Sequence, residues 1–457
     1  MKGYLDNAKI EYVLFHLGHH IDLTDRLRES MIFIKSGEDL SAVTNKIIFN
    51  LIERPFDPSN LSYSGDVPVL FGALENNDPF TCTNGNIIFN HDFLKSSFYL
   101  LSGYQEVNIA EPDKLGRFAF SSSIQSKLNI ITKPVVNYYF EEIIKGIHEF
   151  TKIQNLEFVR KKIFSNFAFY LTHDVDRISY YTLNTFIYTV LQLAGFKKSE
   201  KNNYELLKDI FRIGFNLIKI KGRKDPYWNF AFLSDEEKKS GIRSTWFFLS
   251  KDIKHVDSYY SLKDRKIRDL IESLTKEGHE TGLHGTVRSH NSIDALKKIM
   301  NEFISVTGQK SIGIRQHRLM WKHPDTAVIH ETAGIVYDTS LTFAGHEGFR
   351  NSYCHPFRLF DFERNRMLSY WEIPLTIMDS TLFDYRNLSF NEASESISSL
   401  LNEVTRFNGI FTLLWHNSYL DETLKPGITE FYTDLLKKII SENPEVLKGI
   451  EIINRMR

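Results

Sequence analysis

The chain has 457 residues, of which 42% are apolar, 25% charged and 14% aromatic, and its formal net charge is −1. That length exceeds one ordinary hydrophobic core and predicts two domains of soluble globular type. Balanced charge argues against a polyanion-binding surface, so nucleic acid is not expected as a partner, and no apolar run is long enough for a transmembrane segment. The first residues interleave Lys2, Asp6 and Lys9 with apolar ones and lack the uninterrupted core of a secretory signal. Cys82 and Cys354 lie far apart and outside any metal-ligand spacing, so both are expected to be reduced thiols in a cytoplasmic protein.

Residues 1–155 read as a smaller α+β domain. Strand-like runs at 11–16, 31–35, 67–71 and 85–90 are separated by turn-rich pieces such as 57–60. A helical stretch at 136–151 closes this half, with Ile143, Ile144, Ile147 and Phe150 spaced for one buried face. The run from Asp113 to Phe118 has the look of a tight turn, in which a structural role for Arg117 is favoured over a binding one.

From residue 156 to 457 the rhythm changes. Strand candidates at 167–173, 243–249, 279–284, 311–317, 334–338, 368–376 and 410–416 alternate with helical patterns at 262–278, 291–307, 324–333, 391–406 and 426–441. Alternation over this length argues for parallel strands in an α/β barrel or an open sheet. Residues 178–242 interrupt it with helical pieces at 183–194 and 204–220, read as one excursion that packs over the site or on the first domain.

Polar residues gather where such folds place chemistry, at the carboxyl ends of the strands. The first strand ends in Thr172, His173, Asp174, Val175 and Asp176, and strand alternation sends Asp174 and Asp176 to the same side. Two like charges side by side are tolerated where a cation neutralises them or one serves as a base. An isolated Asp-x-Asp more commonly caps a helix. Here, however, other strands also end in polar groups: His284, followed by Arg288 and His290, then Arg315 with His317, and finally His416.

In order and wording these motifs resemble the polysaccharide deacetylases, carbohydrate esterase family four, over roughly residues 165–455. The resemblance implies a distorted (β/α) barrel of about seven strands behind the α+β domain. It implies Asp174 as catalytic base and Asp176 as metal ligand, from Thr-His-Asp-Val-Asp at 172–176. Gly-His-Glu-Thr-Gly-Leu-His at 278–284 is similar to the second motif and implies His284 as a ligand. Gly-Ile-Arg-Gln-His at 313–317 resembles the third, whose Arg (here Arg315) orients the base. Leu-Leu-Trp-His-Asn at 413–417 resembles the last, whose His (here His416) is the general acid. The family's second motif has a further His four residues on, and position 288 is Arg. His290 is therefore expected to be the third ligand, with His317 or water as alternatives. The stretches 337–340 and 348–350 resemble members that accompany surface-polysaccharide synthesis, and the first half resembles the uncharacterised region in front of bacterial deacetylases.

The activity implied by the resemblance is hydrolysis of N-acetyl groups on the amino sugars of a glycan, with a divalent metal, zinc foremost, as cofactor. Two rivals stand beside it: a non-catalytic carbohydrate-binding barrel that has lost its metal, favoured by Arg288, and a hydrolase of another small amide. Trp321 and Tyr419 are candidates for stacking on a sugar ring, with core packing the preferred reading of each.

Overall fold

A computed structural model describes residues 3–35, 37–73, 78–107, 111–199, 201–218, 225–251 and 257–457. At its centre lies the strand Ala168–Val175, buried along its whole length. Pairing runs in the order Trp371–Glu372, Tyr337–Asp338, Gly313–Gln316, Glu280–Gly285, Thr245–Leu249, Ala168–Val175, Ile410–Leu414, Ile377–Met378. Every pair in that order is parallel. Its two ends belong to one stretch of chain. Residues 371–372 join the Tyr337 strand and residues 377–378 join the Ile410 strand, with Pro374 between them, which has no N–H to give to a ladder. The sheet thus curls until its two edges share a segment, a distorted (β/α) barrel in which the expected strand 368–376 keeps only Trp371–Glu372 and the second piece, Ile377–Met378, lies just beyond it. A further short strand, Glu445–Val446, pairs with the start of the central strand.

Inside the barrel, Tyr170, Phe247, Tyr337 and Trp371 form an aromatic plug with Ile452 and Ile453 of the last helix, Gly449–Met456. A Cβ on Gly313 or on Gly449 would lie 2.0 or 2.2 Å from atoms of the Tyr337 side chain, so this ring fits only because both positions lack one. Helices Arg265–Lys276, Ile293–Thr307, Asp325–Ala333, Phe390–Arg406 and Ile428–Ser441 fall on the five predicted stretches of this half. The fourth shows why. Ser389 and Glu392 form a reciprocal capping box, and Ala393, Ile397, Leu400, Leu401 and Val404 recur on one buried face.

The first region is a sheet in the order Met31–Lys35, Ile47–Leu51, Asn86–Phe89, Phe80–Thr83, backed by helices Asn7–Leu17, Phe93–Leu101 and Val135–Ile153. The strand expected at 11–16 is instead part of the first helix. Asp6 caps it by accepting from the Lys9 N–H at 3.1 Å, and Ile10, Val13, Leu14 and Leu17 repeat at helical spacing over a window longer than the six residues that looked like a strand. The run 67–71 yields only the short strand Val67–Val69.

The two regions share a hydrophobic core. Val13, Phe98 and Tyr139 belong to the same buried cluster as Trp321, Tyr353, Phe357 and Phe360. Across this seam Arg350 makes a buried two-pronged ion pair with Glu106, at 2.9 and 2.6 Å. Among the buried histidines along it are His16, His20 and His355. His16 Nδ1 donates to the Tyr12 carbonyl at 2.7 Å while its Nε2 accepts from the Arg358 N–H at 3.0 Å, which holds the ring neutral. His20 meets the Tyr353 hydroxyl and His355 meets Asn137. Burial depresses all three, His16 and His355 to about 3.

Candidate active site

The alternation of the central strand sorts its polar residues into two sets. Thr172 and Asp174 point into the barrel, whereas His173 points out, its Nε2 2.8 Å from Glu237 Oε1 and its Nδ1 2.6 Å from the Trp415 carbonyl. His173 is thereby a buried structural histidine, stacked on Trp246 at 4.1 Å. On the inner side, Arg315 is fully buried and spends its guanidinium on Asp174 Oδ1 at 3.2 Å, Thr172 Oγ1 at 2.8 Å, and the carbonyl and hydroxyl of Thr339 at 2.9 and 3.1 Å. Four hydrogen bonds fix the Arg315 fork, and through it one oxygen of Asp174.

Arg315 and His284 are side by side in register on neighbouring strands. His284 Nδ1 donates to the Arg315 carbonyl at 2.8 Å, because a carbonyl can only accept. Its Nε2 is left facing the carboxylates, 3.1 Å from Asp176 Oδ1 and 3.7 Å from Asp174 Oδ2. Burial by itself lowers the basicity of His284, and the two carboxylates more than offset it, so its pKa is raised. Asp176 shows the reverse balance. Burial pushes its pKa up, but His317, His284 and His416 together hold it below the ordinary carboxylate range.

Asp176, His284 and His317 each offer one donor atom, all within 4.8 Å of one another, a group able to hold a metal ion. Asp176 Oδ1 is buried and has no hydrogen-bond partner. A buried carboxylate oxygen left without a donor, next to two imidazole nitrogens, fits an oxygen and nitrogen donor set for a divalent cation. His317 enters this group from the end of the Gly313–Gln316 strand, where left-handed backbone at Arg318 (φ 59°) and Leu319 (φ 53°) turns the chain sharply. Its Nδ1 lies 3.2 Å from Asp257 Oδ1, an arrangement that orients the ring and leaves Nε2 toward Asp176 at 3.9 Å.

His290 is not brought to this group. Its Nδ1 is 2.6 Å from the Val287 carbonyl, its own carbonyl accepts from Thr326 Oγ1, and its titratable neighbours are His330 and Lys322. The turn that follows Gly285, closed by Ser289 Oγ donating to the Thr286 carbonyl, carries His290 away from the cleft. Arg288 is exposed on the same turn.

His416 faces the group from the far side, with Nε2 3.8 Å from Asp176 Oδ2. Asp379 grips it twice, accepting from the His416 backbone N–H at 2.5 Å and lying 2.7 Å from Nδ1. Burial lowers its pKa, but Asp379 and then Asp176 and Asp174 outweigh it and raise it to about 10, so the ring is protonated at neutral pH. Asp174, Asp176, His284, His317 and His416 line one cleft of about 830 Å³. Tyr419 and Tyr227 line it too, and so do Leu115 and Arg117 from the first region. Arg117 is anchored by Asp113 at 2.8 Å and donates to the Arg318 carbonyl, so the 113–118 turn is structural and forms part of the wall as well. Trp321 is buried in the shared core instead.

Sequence reasoning missed Asp257 and Asp379. Asp379 had a readable signal, an acid directly after the apolar strand Ile377–Met378, obscured by ending that strand at 376. Asp257 sits in a loop with no periodicity to mark it.

Residues 6–152 match a family described as a family of unknown function, DUF7033. No curated protein matches the chain. Among solved structures, a protein of Mycobacterium smegmatis provisionally described as a polysaccharide deacetylase is 16% identical, covering 64% of this chain and 90% of its own at a TM-score of 0.42. An allantoinase is 12% identical over 63% and 89%, also at 0.42. A carbohydrate esterase family four pseudoenzyme of Bacillus anthracis is 12% identical over 64% and 66%, at 0.32. The fold assignment rests on the strand order and registers described above.

Proposed function

We propose that the protein is a metal-dependent amide hydrolase that removes N-acetyl groups from amino sugars of a glycan or glycan precursor. The observation that carries this reading is an arrangement. An Arg-held carboxylate and an Asp-held, protonated histidine flank a metal-competent Asp–His–His group at the strand tips of one cleft. Asp176, His284 and His317 would hold the ion, zinc by the mixture of imidazole and carboxylate donors. When bound, such an ion supplies Lewis acidity at the acetyl carbonyl and lowers the pKa of water toward about 7.

The chain's own residues divide the proton traffic. Asp174, one oxygen tied to Arg315, takes a proton from the attacking water on its other oxygen, which faces His284. Arg315 keeps that carboxylate oriented. His416 holds its proton at Nε2, facing the cleft, and gives it to the amine nitrogen as the carbon–nitrogen bond breaks, while Asp379 stabilises the cationic ring. Tyr419 and Tyr227 offer ring faces for a pyranose. The sugar is taken from the motif resemblance. Residues 1–155 we take as a domain that completes the cleft through Leu115 and Arg117, with 156–457 as the barrel domain.

Metal content of protein purified without chelators, measured together with acetate release from N-acetylglucosamine oligomers, tests the reading. About one divalent ion per chain and chelator-sensitive acetate release are expected. A metal-free protein that releases no acetate returns the cleft to a binding role, and a metal-loaded one active only on small amides changes the substrate class.

A further inference from the structure

The hairpin built by helices Leu183–Leu193 and Asn203–Leu217 is inverted relative to the rest of the chain. More than half of the large apolar side chains exposed among the described residues lie between 183 and 218. On the second helix Tyr204, Leu207 and Phe211 recur every three to four residues, and Ile218 at its C-terminal cap lies two turns further on the same side, so they form one stripe, in which Tyr204, Phe211 and Ile218 are 77%, 75% and 78% exposed. The opposite face of that helix is the buried one, through Leu206 and Ile213. It sits tightly on its partner, for a Cβ on Gly214 would lie 3.3 Å from the Phe186 ring. The first helix has no charged residue, and Leu183 and Ile187 on it are exposed.

Apolar area left in water on this scale calls for an occupant. The charge pattern selects which. At the tip Phe196, 77% exposed, is followed directly by exposed Lys197 and Lys198, with exposed Lys208 beyond, whereas Lys201 is paired with Asp209 at 2.6 Å. Between 183 and 218 basic residues outnumber acidic ones, although the chain as a whole is at −1. A ring followed by lysines is the order that places apolar groups in the acyl boundary and ammonium groups among phosphates. No helix among the described residues is long and apolar enough to cross a membrane.

We propose that the 183–218 hairpin docks the protein on an anionic lipid surface, its apolar stripe in the acyl boundary and its lysines among the phosphate headgroups. The base of the hairpin is fixed to the rim of the cleft. Tyr180 N donates to Asp225 Oδ1 at 2.8 Å, and Arg212 lies 4.9 Å over the Tyr180 ring and donates to Thr423. Docking therefore brings the cleft mouth to the lipid surface. This inference rests on exposure and charge, independently of the reaction assigned to the cleft.

The test is flotation of the full-length protein with vesicles of equal parts phosphatidylglycerol and phosphatidylcholine, compared with phosphatidylcholine alone. Binding to the anionic vesicles is expected to be about tenfold stronger and to weaken as salt is raised. Phe196→Ser with Phe211→Ser, and separately Lys197→Glu with Lys198→Glu, should each reduce it about tenfold with the thermal midpoint unchanged. Equal flotation of wild type and both variants, or no binding to anionic vesicles, overturns the proposal. If the wild type does not float but forms a dimer that Phe211→Ser dissociates, the face belongs to a second copy, and the proposal is likewise wrong.

Discussion

In the barrel cleft, Arg315, Asp174 and His284 are withdrawn from water, while in the 183–218 hairpin Phe196, Tyr204 and Phe211 are held out in it. Each arrangement reverses the ordinary partition of polar and apolar groups, and each is paid for differently. The buried charges are compensated inside the molecule, where every arm of the Arg315 fork has an acceptor and Asp379 answers His416. The exposed rings have no such internal compensation. A reversal satisfied from within holds its polar groups in one preorganised arrangement, whereas one left open keeps apolar area in water.

Removing one internal partner should therefore produce an effect as large as a core truncation. Arg315→Ala strips Asp174 of its counter-charge in a buried setting and is expected to destabilise the fold by about 3–5 kcal/mol, read from denaturant midpoints. A loss below about 1 kcal/mol would mean that water reaches the carboxylate and that the cleft is not preorganised as described.

Asp174→Asn keeps shape and removes basicity. Turnover should fall about a hundredfold or more while metal content stays at the wild-type level. Loss of the ion in this variant would move Asp174 into the ligand set. The third ligand is tested in the same assay: His317→Ala should weaken metal affinity at least as much as the roughly 10–100-fold typical of changes to groups that only support a ligand, and Asp257→Asn should fall within that range. His290→Ala should leave affinity unchanged, and a loss there would contradict the position of its ring beside Val287.

These assignments also show what was legible beforehand. The strands that carry Asp174, His284, Arg315 and His416 could be read because an apolar run ending in a polar tip is a local signal, and neighbouring parallel strands bring such tips together. The third donor was not, since the choice between His290 and His317 depends on which way a turn folds: Ser289 closes one, and left-handed backbone at Arg318 opens the other. Asp257 escaped notice for the same reason, as a loop residue whose partner is 60 positions away. The helix at Asn7–Leu17 was mistaken for a strand because aromatic and β-branched residues mimic strand composition over six positions. The 183–218 pieces were recognised as helices, with the last two residues of the 204–220 stretch outside those described. Their exposed face could not be read, because periodicity gives the stripe and not what covers it.

The seam between the regions gives a pH prediction. His16 and His355 have folded pKa values of about 3 against 6.5 for a free histidine, chiefly through burial. Below pH 6.5 the unfolded chain takes up protons that the folded chain refuses, so stability is full above 6.5 and declines as pH falls toward 3. Each of these histidines should cost on the order of 1 kcal/mol over the first pH unit below 6.5. Urea melts at pH 7 and pH 5.5 measure this, and His16→Gln should flatten the difference. A pH-independent midpoint would show that the seam opens to let the rings ionise.

The smallest effect is expected where the exposed surface looks most abnormal. Phe247→Ala deletes a ring packed inside the barrel and should cost about 3–5 kcal/mol. Phe211→Ala deletes the same ring from the hairpin, where it is 75% exposed and adds little to the folded core. Its effect on the stability of the free protein should stay within about 0.5 kcal/mol. The comparison is sharp because the chemistry of the two substitutions is identical and only the surroundings differ. If Phe211→Ala proves as costly as a core truncation, that ring packs within the molecule in solution, and the hairpin face is a covered part of the fold. If the cost is near zero while binding to anionic vesicles is lost, the ring contributes to docking and not to folding.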